Sequence, residues 1–180
     1  GGSQSYTVNG VSRPTWTKSF SASGIVILGG DPINLTLRII NPGPQPLTNF
    51  SFTDTFPTAG SSGAIIEPTT AGTQAMTCSA GGTAPNVTLT QGAAAAISVS
   101  ASASGVIAGS GGYCEIVVPI QARHTDGGGS DNGTYRVTGT NTLSPVNFDN
   151  DQGLKPASSA TADVTVRSPL TVNKSFAANP

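Results

Sequence analysis

The feature that most constrains this chain is residues 50–57, which read Phe-Ser-Phe-Thr-Asp-Thr-Phe-Pro. Side chains alternate along an extended strand, so Phe50, Phe52, Asp54 and Phe56 share one face. Three aromatic rings in a row predict the face that packs into a core. A carboxylate in that row is out of place, because burying an unpaired charge costs far more than one packing contact returns. Asp54 therefore requires a specific buried partner, a bound proton, or a break in the phase of the strand.

The composition indicates an all-β extracellular module rather than a helical cytosolic enzyme. Only 9% of the 180 residues are charged, and 23 glycines and 13 prolines punctuate the chain. The net charge is −1 and the eight basic residues are scattered, which argues against nucleic-acid binding. The sequence contains neither an apolar run that could cross a bilayer nor a signal peptide. We therefore expect no direct membrane insertion, and we interpret the chain as a mature or excised fragment.

The two cysteines, Cys78 and Cys114, lie far apart and lack the spacing of a metal site. They could form one structural disulfide or remain as two buried thiols. The disulfide is favoured because the composition is typical of a secreted protein, and it implies an oxidising compartment.

Alternating apolar residues predict short strands along most of the chain. Residues 93–103 contain many alanines and would also suit a helix, but the alternation at 97–101 favours a strand. A Gly/Asp-rich loop at 125–133 and a polar loop at 144–159 interrupt the pattern. Roughly eight to ten strands separated by turn signals predict an all-β fold, specifically a β-sandwich. The predicted strands are 15–20, 34–39, 50–56, 64–67, 74–78, 86–90, 97–101, 114–122, 133–143 and 160–166.

The end of the chain repeats its first strand. Lys-Ser-Phe occurs at 18–20 and again at 174–176, an interval of 174 − 18 = 156 residues, which suits one sandwich domain. The flanking apolar residues share the phase of each lysine: Trp16 and Phe20 in the first copy, Val172 and Phe176 in the second. We interpret residues 1–14 as a leader or inter-repeat linker, 15–167 as one repeat domain, and 168–180 as a linker and the first strand of the next repeat.

Three predicted inner faces each contain one polar misfit: Lys18, Asp54 and Asn141. Apolar surroundings lower the pKa of a lysine and raise that of a carboxylic acid, so both groups could be uncharged in the core. A neutral Lys18 amine could attack the side-chain carbonyl of Asn141 while Asp54 shuttles protons and polarises the amide. Ammonia would leave, and a Lys–Asn isopeptide bond would join an early strand to a late one. The alternative is that Lys18 snorkels at the rim of the sandwich and forms an ordinary salt bridge with Asp54.

These motifs resemble a known family. Lys-Ser-Phe, a glycine-rich turn, Leu-Thr-Leu-Arg-Ile-Ile-Asn-Pro and Phe-Thr-Asp-Thr-Phe-Pro resemble the tandem immunoglobulin-like repeats of bacterial and archaeal surface proteins. Those repeats are similar to collagen-adhesin (CnaA-like) domains that form internal isopeptide bonds. The resemblance covers nearly all of residues 15–167 and implies an immunoglobulin-like β-sandwich.

The resemblance also implies roles for individual residues. In the family the lysine lies on an early strand, the acid lies in an Asp-Thr-Leu-Pro-like motif, and the asparagine on a late strand is often followed by Thr and an aliphatic residue. The cross-link then falls on Lys18 and Asn141, and the catalytic acid on Asp54. Asn141 lies six residues after Tyr135 (141 − 135 = 6), whereas the family often places the asparagine closer to that tyrosine. The fallback acceptors are Asn147 and Asn150.

The function expected from this reading is a structural stalk module of a cell-surface adhesin or filament. The chain would be extracellular, bind no cofactor or metal, contact neighbouring repeats, and act as an enzyme only in its own single-turnover cross-linking. Asp149-Asn150-Asp151 could offer oxygen ligands to calcium but lacks EF-hand spacing. A second hypothesis is a binding module whose loops 57–63, 123–133 and 144–159 engage a host protein or glycan. A third is a filament subunit that donates the strand Leu170–Phe176 to a neighbour.

Overall fold

The computed structural model describes residues 11–59, 64–92, 98–124, 136–169 and Lys174. The predictions for residues 1–10, for the loop 125–133, for Tyr135 and for most of the tail lie outside these residues. In chain order the strands are β1 Thr15–Phe20, β2 Ile25–Ile27, β3 Ile33–Asn41, β4 Leu47–Thr55, β5 Thr58–Ala59, β6 Ala64–Pro68, β7 Gly72–Ala75, β8 Thr77–Cys78, β9 Asn86–Thr90, β10 Ser98–Ile107, β11 Gly112–His124, β12 Arg136–Leu143, β13 Phe148–Asp149 and β14 Ala160–Arg167.

The strands form three sheets that enclose one core. The first sheet has the order β1-β3-β11-β6-β5, and β8 also pairs with β11. The second has the order β13-β4-β10-β9-β7, and the third has the order β12-β14-β2. The third sheet closes one side, because β14 lies beside β1 of the first sheet and β12 beside β4 of the second. The predicted all-β sandwich is confirmed.

The core is built from the alternating rows that the sequence predicts. On β3 the inward residues Leu35, Leu37 and Ile39 are fully buried, and on β4 Phe50 and Phe52 lie in the same core cluster. Each large apolar side chain buried in this way contributes about 1.5–3 kcal/mol relative to an exposed one. The two rows therefore hold the first and second sheets together face to face.

A β-bulge in β4 sets the phase of its inward row. Gly105 on β10 pairs with Phe50, and Val106 pairs with Thr48, which leaves Asn49 as the extra residue. Asn49 has φ 51°, in the left-handed region that asparagine tolerates better than most residues. Because the bulge lies immediately before Phe50, every second residue from Phe50 onward points into the core.

The loop predicted over residues 144–159 is mostly irregular, as expected, but it contains two short elements that the prediction missed. The segment contains a short 3₁₀ turn, Pro145–Asn147, followed by β13, which pairs with β4. Phe148 is completely buried, packs edge-on against Trp16 at 5.7 Å between ring centroids, and stacks on Phe50 at 6.4 Å. A single buried ring in a polar segment has no periodicity, so the sequence pattern could not reveal it.

Two other features differ from the predicted strands. No strand is predicted between residues 20 and 34, where the structure has β2, which pairs in parallel with β14. The strand predicted at 74–78 is two strands, because β7 pairs with β9 in the second sheet and β8 pairs with β11 in the first. Met76, between them, is buried at the crossing point. The strand predicted at 97–101 is confirmed in type and extends to Ile107.

The predicted disulfide between Cys78 and Cys114 is confirmed. It joins β8 to β11 at a directly paired position of the first sheet. A disulfide stabilises a protein chiefly by restricting the unfolded chain. This one keeps Cys78 and Cys114 together when the domain unfolds, so the chain between them stays a closed loop.

Replacing Phe148 tests whether residues 144–159 belong to the core. We expect Phe148→Ala to lower the free energy of unfolding by about 3–5 kcal/mol, because it leaves a cavity beside Trp16 and Phe50. The matched control is Val146→Ala in the same segment, whose side chain is 77% exposed and whose replacement should change that free energy by no more than about 0.5 kcal/mol. Urea unfolding with the disulfide intact measures both. Equal, small effects would contradict the packing of this segment.

Candidate functional site

Three polar side chains meet where the three sheets come together. Lys18 comes from β1 of the first sheet, Asp54 from β4 of the second, and Asn141 from β12 of the third. The side chains of Lys18 and Asp54 are 0% exposed, and Asn141 is equally buried. A single site therefore connects all three sheets through buried polar contacts.

Asp54 is the centre of these contacts. Lys18 Nζ lies 2.6 Å from both carboxyl oxygens of Asp54. Asn141 Nδ2 donates one hydrogen bond to Asp54 Oδ1 at 3.0 Å and a second to the backbone carbonyl oxygen of Thr55 at 2.9 Å. Asp54 Oδ1 consequently contacts the lysine nitrogen and the amide nitrogen at the same time.

The strand registers give this cluster apolar surroundings. Lys18 pairs with Leu37 on β3, and Leu37 pairs in turn with Ile116 on β11, so two buried aliphatic residues follow the lysine across the sheet. Asn141 pairs with Ala162 on β14. The side chains of these paired residues contain no hydrogen-bonding groups, so they cannot compete for Lys18, Asp54 or Asn141.

Burial shifts both ionisable groups toward their neutral forms. Desolvation raises the pKa of Asp54, and the charge and hydrogen bond of Lys18 and the hydrogen bond of Asn141 oppose that rise only in part. Desolvation likewise lowers the pKa of Lys18, against the smaller opposing effect of Asp54. Both pKa shifts are in the direction of a free amine beside a carboxylic acid, and nucleophilic attack by lysine requires the free amine.

The carbonyl oxygen of Asn141 is buried and has no hydrogen-bond partner among the described residues. Leaving a buried acceptor unsatisfied costs about 1–3 kcal/mol. Such atoms are uncommon in folded proteins and mark positions where strain or chemistry is concentrated. The unsatisfied atom here belongs to the group that Lys18 would attack.

Gly139 allows the acidic motif to approach β12 closely. It lies two residues before Asn141, and a Cβ atom there would stand 3.2 Å from Cβ of Pro57 and 3.3 Å from its Cγ. Phe56, beside that proline, is 2% exposed. The residues that follow Asp54 therefore cover β12 next to Asn141.

The three residues singled out from the sequence are brought together, and the fallback acceptors are not part of the cluster. Asn147 is exposed. Asn150 is held in a turn, where its Nδ2 donates to the Leu154 carbonyl and its Oδ1 accepts from the backbone N–H groups of Gln152 and Leu154. The alternative reading is confirmed in part: the Lys18–Asp54 salt bridge is present at 2.6 Å. Its snorkelling part is wrong, because the side chain of Lys18 is buried rather than at the rim.

Two contributors to the site were not found from the sequence. The Thr55 carbonyl is a backbone atom, and side-chain patterns carry no information about it. Gly139 lies in phase with Asn141 on the predicted strand, and a glycine inside a strand is a known signal of close backbone or side-chain approach.

Neither a metal centre nor a spanning helix is found in the described part of the chain. It contains no group of three or more His, Cys, Asp or Glu side chains arranged to hold a metal. Asp151 Oδ2 is already occupied, since it accepts hydrogen bonds from Thr48 and Asn49. Over the same residues, no helix has the length and apolar character needed to cross a membrane.

No protein-family model matches the chain, and no curated protein sequence matches it. The likeness to collagen-adhesin domains therefore stays a resemblance of motifs.

Removing the acid tests whether Asp54 compensates a buried lysine. In an Asn141→Ala background, which excludes any Lys18–Asn141 bond, Asp54→Ala should lower the free energy of unfolding by about 3–5 kcal/mol, because Lys18 loses its partner. The control is Asp163→Ala in the same background. Asp163 is also hydrogen-bonded, to Thr140, but it is exposed, and its loss should cost at most about 1 kcal/mol. Chemical denaturation compares them, and equal costs would show that Lys18 is not dependent on Asp54.

Proposed function

We propose that this chain is a structural stalk module of a cell-surface adhesin or filament, stabilised by an autocatalytic isopeptide bond between Lys18 and Asn141. The observation that carries the proposal is the contact of Asp54 with both reacting nitrogens inside an apolar core. A buried ion pair alone would need no amide beside it. Here the amide is held by two hydrogen bonds next to an amine whose neutral form is favoured by burial.

The reaction balances without a cofactor. The lone pair of neutral Lys18 Nζ attacks Cγ of Asn141 and forms a tetrahedral intermediate. A proton passes from Nζ to Nδ2, the Cγ–Nδ2 bond breaks, and ammonia leaves. The product is a secondary amide between Nζ and Cγ. Because the fold holds the lysine and the asparagine against the same carboxyl oxygen of Asp54, their reaction is intramolecular and avoids the entropic cost of bringing two separate molecules together.

Asp54 is placed to carry the proton in this reaction. Its carboxyl group contacts the attacking nitrogen of Lys18 and the leaving nitrogen of Asn141. Proton transfer between groups within hydrogen-bond reach is the ordinary geometry of general acid–base catalysis. In this arrangement Asp54 accepts a hydrogen bond from the amide nitrogen of Asn141, and the carbonyl oxygen of Asn141 has no hydrogen-bond partner among the described residues. The geometry therefore supports proton transfer as the role of Asp54 more directly than polarisation of the carbonyl.

The position of the bond suits a module under tension. Trp16 Nε1 at the start of β1 donates to the carbonyl of Ser158, just before β14 begins, and Lys18 lies near Asn141, which pairs with Ala162 of β14. β1 and β14 therefore run in the same direction, so the chain enters at one end of the sandwich and leaves at the other. Pulling the two ends would load β1 and β14, the first and last strands, before the others. A covalent bond from β1 to β12 prevents β1 from being drawn out of the first sheet.

The remaining features fit an extracellular role. The Cys78–Cys114 disulfide is typical of proteins from oxidising compartments. It lies inside the ring that a Lys18–Asn141 bond would close, so the two cross-links would be nested. Neighbouring repeats of the same protein are the partners that this function implies.

Intact-mass spectrometry of the folded, reduced protein tests the bond. We expect a mass lower than that calculated from the sequence by one ammonia molecule. Lys18→Arg and Asn141→Ala should each have the full calculated mass. Asp54→Ala should also be unlinked while its circular dichroism stays that of a folded β protein, because proton transfer is lost and the strands are retained.

Asn147→Ala and Asn150→Ala serve as matched controls. Each removes an asparagine from the segment that follows β12 but leaves the three-residue cluster intact, so each should still lose ammonia. A wild-type mass equal to the calculated value would contradict the cross-link. Ammonia loss that persists in Asn141→Ala would assign the acceptor to another residue.

A ligand-binding module is the second candidate. The observation in its favour is an apolar cavity of about 380 Å³ between the β3–β4 turn and the segment after β13, lined in part by Val11, Pro44, Leu47 and Leu154. Leu154 belongs to the loop 144–159, which this hypothesis uses for binding a host protein or glycan. The one aromatic side chain of that loop, Phe148, is buried against β4 and is not available to a ligand. The stalk function is therefore the better supported of the two.

A further inference from the structure

The β1–β2 turn, residues 21–24, has an unusual backbone. Ala22, Ser23 and Gly24 have φ angles of 50°, 52° and 70°, so three consecutive residues lie in the left-handed region. Glycine adopts this region readily, whereas alanine and serine rarely do. The backbone N–H of Gly24 donates to the carbonyl of Ser21 at 2.9 Å and closes the turn. Because the conformation is unfavourable for two of its residues, contacts on either side of the turn must hold it.

The beginning of the turn is fixed to the first sheet. The backbone N–H of Ser21 donates to the carbonyl of Asn34 at 2.9 Å, and the backbone N–H of Asn34 donates to Ser21 Oγ at 2.8 Å. Asn34 belongs to β3, which pairs with every residue of β1. Ser21 therefore extends the pairing of β1 with β3 by one residue beyond Phe20.

The end of the turn packs against the third sheet. Gly24 is buried, and a Cβ atom there would overlap the carbonyl oxygen of Asp163 and lie 3.2 Å from its carbonyl carbon. Only glycine fits at such a distance from a backbone. The next residues form β2, which pairs with β14. The chain that leaves β1 is thus brought directly against the backbone of β14.

The spacing of β1 and β14 depends on contacts of this kind. The two described strands lie side by side but belong to different sheets, and no ladder of hydrogen bonds joins them. Two contacts between the strands flank Lys18. Trp16 Nε1 donates to the carbonyl of Ser158 near the start of both strands, and Gly24 meets Asp163 beyond the end of β1. Lys18 therefore lies between two points at which its strand is held to β14.

Asn141 depends on the same spacing, because its strand is attached to β14. It pairs with Ala162, the residue before Asp163. A shift of β14 away from β1 would carry Asn141 away from Lys18. We infer that the β1–β2 turn is a positioning element for the cross-link, in which Gly24 lets β14 approach closely enough for the amide of Asn141 to reach the amine of Lys18. The inference rests on the proposed function and adds a requirement outside the three-residue cluster.

The rate of ammonia loss in Gly24→Ala tests the inference. The added Cβ atom would displace the carbonyl of Asp163, so the loss should be about 100-fold slower than in the wild type, a cost that a misplacement of about 1 Å can have. Chains from cell-free synthesis are denatured at successive times, reduced and weighed by mass spectrometry. The matched control is Gly29→Ala. Gly29 has a similar φ of 67°, but a Cβ atom there would meet nothing within 4 Å, so its rate should equal that of the wild type.

A second control separates positioning from stability. Met76→Ala removes a buried side chain where β7 and β8 meet, so it should lower the urea midpoint of unfolding but leave the rate of ammonia loss unchanged. A Met76→Ala rate as slow as that of Gly24→Ala would reduce the effect to one of stability and overturn the inference. An equally slow Gly29→Ala would do the same, because backbone strain alone would then explain the result.

The position of the amide can also be measured without the reaction. In a Lys18→Arg background, which forms no bond, the side-chain ¹⁵N–¹H signals of Asn141 report its hydrogen bonds to Asp54 and Thr55. Gly24→Ala should shift these signals, and Met76→Ala should leave them in place. Unshifted signals in Gly24→Ala would overturn the inference even if the reaction were slower.

Ser21→Ala decides the question if Gly24→Ala does not fold. It removes the acceptor for the backbone N–H of Asn34 and adds no atom, so the turn is held less firmly and ammonia loss should slow by up to about tenfold. The control is Ser19→Ala, an exposed serine on β1, which should react at the wild-type rate. Equal rates for the two serine variants would overturn the inference.

The outcomes separate the inference from the proposed function. A wild-type chain that loses no ammonia contradicts the proposed function, and the inference with it. A wild-type chain that loses ammonia while Gly24→Ala loses it equally fast overturns the inference alone.

Discussion

The buried contact between Lys18 and Asp54 is the interaction on which the rest of the structure depends. Each residue belongs to a different sheet, and Asn141 brings in the third. Replacing a buried ion pair by well-packed apolar residues is often neutral or stabilising, whereas removing one partner is strongly destabilising. A cluster of this kind is therefore a poor device for stability by itself. Its presence in the centre of an aromatic and aliphatic core is what the proposed cross-linking reaction would require, since burial favours the neutral amine of lysine.

Much of the surrounding fold serves to place these three groups. The bulge at Asn49 fixes the phase that turns Asp54 inward. The absence of a side chain at Gly139 lets Pro57 cover β12, and the Thr55 carbonyl orients the amide of Asn141. Phe148 and Trp16 close the adjoining part of the core. These are backbone and packing features, and those at Asn49, Thr55 and Gly139 lie within a few residues of Asp54 or Asn141 on the same strands.

The sequence predicted the fold class and the three site residues because both depend on strand periodicity. A polar residue in phase with apolar ones stands out, and Lys18, Asp54 and Asn141 were found in that way on three separate strands. That they meet could not follow from periodicity, since it contains no information on which strands are neighbours. Periodicity also requires several residues in a row. The pattern therefore does not reveal three short features: the packing of Phe148, the three residues of β2 and the break at Met76. The bond to the Thr55 carbonyl depends on a backbone atom, which every residue possesses.

The central claim is that the side-chain nitrogen of Lys18 is an amide rather than an amine. Nuclear magnetic resonance of protein labelled with ¹⁵N at the lysine ζ position measures this directly. The chain has three lysines, and Lys155, which is exposed, provides the reference for a free amine. We predict one ζ-nitrogen that carries a single, exchange-protected proton with an amide chemical shift, absent from the Lys18→Arg and Asn141→Ala variants. Three amine signals in the folded wild-type protein, with no amide signal, would contradict the account.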